Sequence, residues 1–197
     1  MNSLPAFDRK IYTPRLLFHD LGFFLSHLRE IRGAMRNEQI GKAFMEKIMT
    51  VVTAVNGCVY CAWFHARQSE AAGISREEVK DLLELQFHAG ASEHEVMGLL
   101  YAQHYAETDR HPDEEMTAKL IASYGDRTAR DIILMIRMIY FGNLSGNTFD
   151  AFLSRLRGQK APHSNLLFEL IFFLFSAPIL LPTFPAVKPF RQRQVTH

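Results

Sequence analysis

Apolar residues recur at helical spacing in one segment after another along this 197-residue chain, and no run of period-two alternation flanked by hairpin turns comes between them. Leu21, Phe24, Leu25, Leu28, Ile31 and Met35 keep that spacing in a first helix led in by Tyr12-Thr-Pro14. Ile40, Phe44, Ile48, Val51, Val52 and Val55 line one side of a second, from about Asn37 to Val55, which Asn56-Gly57 stops. A third begins at or near Cys58 and runs to about Ala72, ahead of Gly73. Ser75 with Glu78, and Ser92 with Glu95 after Gly90, make capping-box patterns that open two more. His111-Pro112 marks a break, followed by helices at about Asp113 to Tyr124, Arg127 to Tyr140 and Thr148 to Arg157. The expectation is an all-α fold in one domain over 1–197, with a core at about 35–105, a C-terminal helical layer at about 113–182 and a basic tail at 185–197.

With 48% hydrophobic and 22% charged residues, the composition is that of a globular protein. A net charge of +1 carries no electrostatic footprint for nucleic acid, and Lys188, Arg191 and Arg193 read as a solvated end. Two cysteines three positions apart close too short a loop to restrain a secreted fold, and the first ten residues do not read as a signal peptide. A reducing compartment, the cytoplasm, is expected.

The run from Leu166 to Leu181 is strongly apolar but contains Glu169 and Pro178, with Pro182 after it, so no membrane span is expected. Such a helix would leave a sticky patch in water, and a subunit interface is the expected use, hence a homo-oligomer. A membrane-surface anchor is the competing reading.

The chemistry sits in Gly57-Cys-Val-Tyr-Cys-Ala-Trp-Phe-His65, which holds both cysteines of the chain. On a helix, offsets of three, four and seven residues put Cys58, Cys61 and His65 on one stripe. Two thiols so placed can form a disulfide, and an imidazole one turn on can take a proton from a thiol. The same three side chains are N/S donors for zinc, lacking a fourth ligand, and a pair of inert core cysteines is the third reading. The helix N-terminus favours a thiolate at Cys58, whereas the histidine offset favours one at Cys61.

Glu46 precedes Cys58 by twelve positions, so Glu46, Cys58, Cys61 and His65 spell E-x11-C-x2-C-x3-H. This pattern resembles the alkylhydroperoxidase D-like branch of the carboxymuconolactone decarboxylase superfamily, over about residues 35–105. The resemblance implies an all-helical bundle that assembles into dimers, trimers or hexamers, without cofactor or metal. It also implies reduction of a hydroperoxide by a Cys58–Cys61 dithiol, with Cys61 attacking, Glu46 and His65 relaying the proton, and a protein or small-molecule thiol as reductant. The layout after the core, with Phe141-Gly-Asn-Leu-Ser-Gly-Asn-Thr-Phe-Asp150, is similar to longer peroxidase-related members. Tyr60 departs from the founding pattern, which has histidine before the second cysteine, and a phenol titrating near ~10 does not replace it as a proton carrier.

The rival readings are a lactone-processing lyase, which needs no dithiol, and a zinc-stabilised module on Cys58, Cys61 and His65. Glu46, close to Lys42 and Lys47, has its own alternative as a solvated charge. His88, His94, His104 and His111 read as surface or structural histidines; Gly142 to Asn147, with Asn143, Ser145 and Asn147, reads as a turn, a plain loop before a pocket edge; and Trp63 and Phe64 read as core, with the wall of an apolar substrate pocket as their alternative.

Overall fold

A computed structural model describes residues 7–87 and 91–187. His88, Gly90 and the basic residues Lys188, Arg191 and Arg193 lie outside the described residues. Among those described there is no strand, and the fold is all-α: α1 (Pro14–Ser26), α2 (Leu28–Ala34), α3 (Gly41–Asn56), α4 (Val59–Ala71), α5 (Arg76–Leu83), α6 (Glu93–Glu107), α7 (Glu114–Arg155) and α8 (Leu166–Leu180).

The local signals act where the spacing put them. Thr13 caps α1 with proline in its first turn, and Ser75 accepts the Glu78 N–H at the start of α5. Ser92 and Glu95 close a reciprocal capping box on α6. The first expected helix is broken at His27 into α1 and α2.

The core lies where α3, α6 and α7 meet. Ile48, Val51 and Val52 of α3, Leu99 and Ala102 of α6, and Ile132 and Ile136 of α7 are almost fully excluded from water. Each large side chain buried this way contributes about 1.5–3 kcal/mol relative to exposure, and three amphipathic helices supply enough of them for one continuous cluster.

Two expectations fail after the break. Gly125, at φ 74°, does separate the two segments on either side of it, yet the stretch read as a turn at Gly142 to Asn147 is helix, and α7 runs through it to Arg155. Asn143, Gly146, Asn147 and Asp150 are all buried there, so the small and amide residues that suggest a loop in isolation serve close helix packing instead. The apolar segment also differs. Glu169 does not interrupt α8 but is its one buried side chain, receiving Arg155 Nε at 2.7 Å and Nη2 at 2.9 Å. The helix passes through Pro178, and Leu166–Val187 reaches 22 residues with a mean hydropathy of 2.0, long and apolar enough to cross a membrane. It lies on α7 through Phe173, stacked on Phe149 at 4.9 Å, while Leu174, Phe175 and Ile179 face outward.

Candidate active site

Gly57 takes the left-handed backbone that only glycine adopts cheaply, φ 65° and ψ 25°, and turns the chain from α3 into α4. Four side chains pin this corner to α7. Asn147 Nδ2 donates to the Asn56 carbonyl at 2.9 Å, Asn56 Nδ2 to Asn143 Oδ1 at 3.2 Å, and Asn143 Nδ2 to Thr53 Oγ1 at 3.0 Å. Arg9, from the segment before α1, pairs with buried Asp150 and packs its side-chain carbons against Gly57.

The corner leaves Cys58 as the N-cap of α4, its sulfur accepting the Cys61 N–H at 3.3 Å. Both cysteines are free thiols; Cys58 is fully buried and Cys61 is half-buried. Gly146 of α7 abuts the pair so closely that an added Cβ would lie 2.6 Å from Cys58 Sγ and 3.7 Å from Cys61 Sγ.

The two sulfurs differ in acidity. Burial pushes the Cys58 thiol well above its ordinary range, and the neighbouring Cys61 sulfur adds to that rise. Cys61 is lowered, first by the hydrogen bond from the Cys58 thiol and then, against the cost of its own desolvation, by one from the Asn143 side chain. The helix N-terminus therefore does not outweigh burial at Cys58, and of the two sulfurs it is Cys61 that is lowered.

Glu46 is not a solvated charge. It lies buried on α3, and its Oε2 is 2.8 Å from Nδ1 of buried His65 on α4. Its neighbour Lys47 points elsewhere, to Glu78 at 2.7 Å and Glu95 at 3.0 Å. The carboxylate fixes the ring and engages Nδ1, leaving Nε2 for other partners. Among the described residues no three His, Cys, Asp or Glu side chains gather as a metal-binding group.

Cys61 and His65 open on a cavity of about 1180 Å³ between α1, α4, α7 and α8. Trp63 and Phe64 line this cavity, the alternative to core packing that their place beside His65 offered. Tyr60 lines it as well and packs edge-on against Phe149, ring centres 5.5 Å apart. His104 pairs with Asp113 at 3.2 Å and His94 packs on Tyr124, in line with structural roles.

Residues 24–104 match the profile of the carboxymuconolactone decarboxylase family. Over this segment, well under half of the chain, the sequence is similar to that family, which belongs to the alkylhydroperoxidase D-like superfamily. No curated protein and no solved structure matches the chain. The matched segment spans α2 to most of α6 and holds Glu46, Cys58, Cys61 and His65, whereas Asn143 and Gly146 lie on α7, beyond it. The sequence offered a pocket-edge role for this stretch only as the alternative to a plain loop; the clue was the alternation of Gly142 and Gly146 with Asn143, Ser145 and Asn147.

Proposed function

We propose that the protein is a thiol-dependent hydroperoxide reductase acting through Cys58 and Cys61. The observation that carries the reading is geometric: Cys58 and Cys61 stand one turn apart at the start of α4, and Cys61 lines a cavity together with His65, whose imidazole Nδ1 lies 2.8 Å from the Glu46 carboxylate; the raised Cys58 and lowered Cys61 thiols accord with it. A nucleophilic thiolate with a protonated resolving thiol beside it is what two-step peroxide reduction requires.

In this mechanism His65, held by Glu46, takes the Cys61 proton directly or through one water. The Cys61 thiolate attacks the hydroperoxide oxygen that bears hydrogen; the O–O bond breaks, an S–OH bond forms, and the departing alkoxide takes the proton from His65 as alcohol or water. Asn143 steadies the charge on sulfur before the attack. Cys58 then attacks the sulfenic acid, forming the Cys58–Cys61 disulfide and expelling water. The peroxide has gained two electrons and the thiol pair has lost them, and an external dithiol or two monothiols return both by exchange.

Peroxide titration with thiol counting and mass spectrometry tests this. The parent should lose two thiols per chain and two hydrogens of mass. Cys61→Ser should not react, and Cys58→Ser should stop at a sulfenic acid on Cys61. Equal turnover by both serine variants would refute the mechanism.

The family profile fits a lactone-processing lyase as well, in which the Glu46–His65 pair would act as the base. That reading requires the double serine variant to keep full activity on its substrate.

A further inference from the structure

The cavity beside Cys61 has walls of one character. Among the described residues its lining contains no Lys, Arg, Asp or Glu, and its bulk comes from side chains such as Leu17, Ile139, Phe141, Phe168, Ile171 and Phe172. The polar groups away from the sulfur are already engaged by their own helix. Ser176 donates to the Phe172 carbonyl at 2.7 Å, Thr183 to the Leu180 carbonyl at 2.7 Å, and Asn165 accepts the Phe168 N–H at 3.1 Å. The titratable groups in the lining, Tyr60, Cys61 and His65, all come from α4. At about 1180 Å³ the space exceeds the ~300–1,000 Å³ common for small-ligand sites.

We infer that this cavity binds a long, uncharged alkyl or acyl chain, which makes a long-chain hydroperoxide the substrate class, its O–O group at Cys61 and its tail along α8. The substrate half of this inference rests on the proposed peroxidase reading; the chain-binding half does not. A wall without cations gives a buried carboxylate no partner, so an ester or alkyl hydroperoxide fits where a free acid lying wholly inside does not. Hydrogen peroxide fills none of this volume. Each methylene moved from water to such walls favours binding about fourfold when fully covered, so reactivity should climb with chain length until the cavity is full.

The test compares hydrogen peroxide with n-butyl, n-octyl and n-dodecyl hydroperoxide on the full chain, all below their aggregation limits, reading kcat/KM from thiol loss. A gain of at least about tenfold from butyl to octyl is expected. Ile171→Asp and Phe175→Asp, at exposed positions of the lining, should erase most of that gain, read as the ratio of octyl to butyl kcat/KM. Trp63, the one tryptophan of the chain, lines the cavity and gives a readout without turnover: dodecanol should shift its fluorescence in the parent and not in the aspartate variants. A flat series with no response of Trp63 overturns the inference. So does a fall in subunit mass of the aspartate variants with chain-length selectivity intact, which would give the groove to a second copy. Sedimentation with phosphatidylcholine vesicles without a dodecanol response would overturn it in favour of a membrane surface. Thiols that resist every hydroperoxide while Trp63 still answers dodecanol would refute the peroxidase reading and leave the chain-binding site standing.

Discussion

Gly146→Ala adds one methyl group at the point where α7 meets the sulfurs. The new Cβ would stand 2.6 Å from Cys58 Sγ, against 3.4 Å for the near edge of ordinary contact, so the difference, about 0.8 Å, must come from movement of the sulfur or the helix. The sulfur cannot yield freely, because it is fully buried and caps α4 by accepting the Cys61 N–H at 3.3 Å. Overpacking of this kind costs ~1–3 kcal/mol, and replacing a helical glycine by alanine returns about 1 kcal/mol, so net destabilisation should be small, about 0–2 kcal/mol. The chemical effect should be much larger. A displacement near ~1 Å of a reacting group can cost ~10²-fold in rate, and moving Cys58 also weakens the bond that lowers Cys61. Urea denaturation measures the first quantity, and stopped-flow oxidation by peroxide with the pH profile of Cys61 alkylation measures the second. A variant that folds, reacts with peroxide at the parent rate and alkylates with an unshifted profile would refute the close-contact reasoning.

Cys58→Ala should raise the pH at which Cys61 alkylates, because the largest influence lowering it is the Cys58 hydrogen bond; Asn143→Ala should raise it less, and the reverse order would contradict the assigned causes. In the parent, the lowered Cys61 contributes stability above the unfolded thiol value of ~8.5 and loses it as pH falls through its folded value, whereas the raised Cys58 contributes below ~8.5 and loses its share as pH rises further. Denaturation of Cys58→Ala should therefore be less sensitive to alkaline pH than that of the parent. Glu46→Gln keeps a partner for His65 Nδ1 but removes the charge, so a drop of ~10²-fold in peroxide rate with little change in urea midpoint is expected; an unchanged rate would remove the pair from the chemistry. Glu169→Ala strips Arg155 of its bidentate carboxylate and should cost up to ~3 kcal/mol, read as a lower urea midpoint, together with loss of chain-length selectivity as α8 loosens from α7.

The helices were legible because their signals are local. A capping serine with a glutamate three residues on, a glycine after the last apolar position and a repeat of three to four all act within a turn or two, and α3 to α6 formed as those signals required. Glu46 and His65 were legible together through the family pattern, whereas the helix return at Gly57 by itself suggested only that Glu46 comes back towards the α4 stripe, where it meets His65. The segment Gly142 to Asn147 was not, because glycine and asparagine favour turns in isolation and only a neighbour pressed against them makes a helix the better state. That neighbour is eighty residues or more away in sequence, as in the bond from Asn143 to Thr53. Glu169 misled in the same manner, reading as an interruption of α8 until its partner Arg155 is placed beside it.

The distribution of parts between the family-matched segment and the rest follows from what each part must do. A carboxylate–imidazole pair and two sulfurs can be set by one helical corner, which residues 24–104 contain. The separation of the two thiols in acidity draws on both parts: within the corner, Cys58 is the largest influence lowering Cys61, while burial raises Cys58 itself. Here α7 adds to both, with Gly146 packed against Cys58 and the Asn143 side chain lowering Cys61 further. The same helix carries α8 through Phe149, Phe152 and Arg155, so the element that tunes the sulfurs also positions the apolar wall in front of them. Nucleophile strength and access to it are thus coupled through one rod, and a change in α7 that shifts either should shift the other.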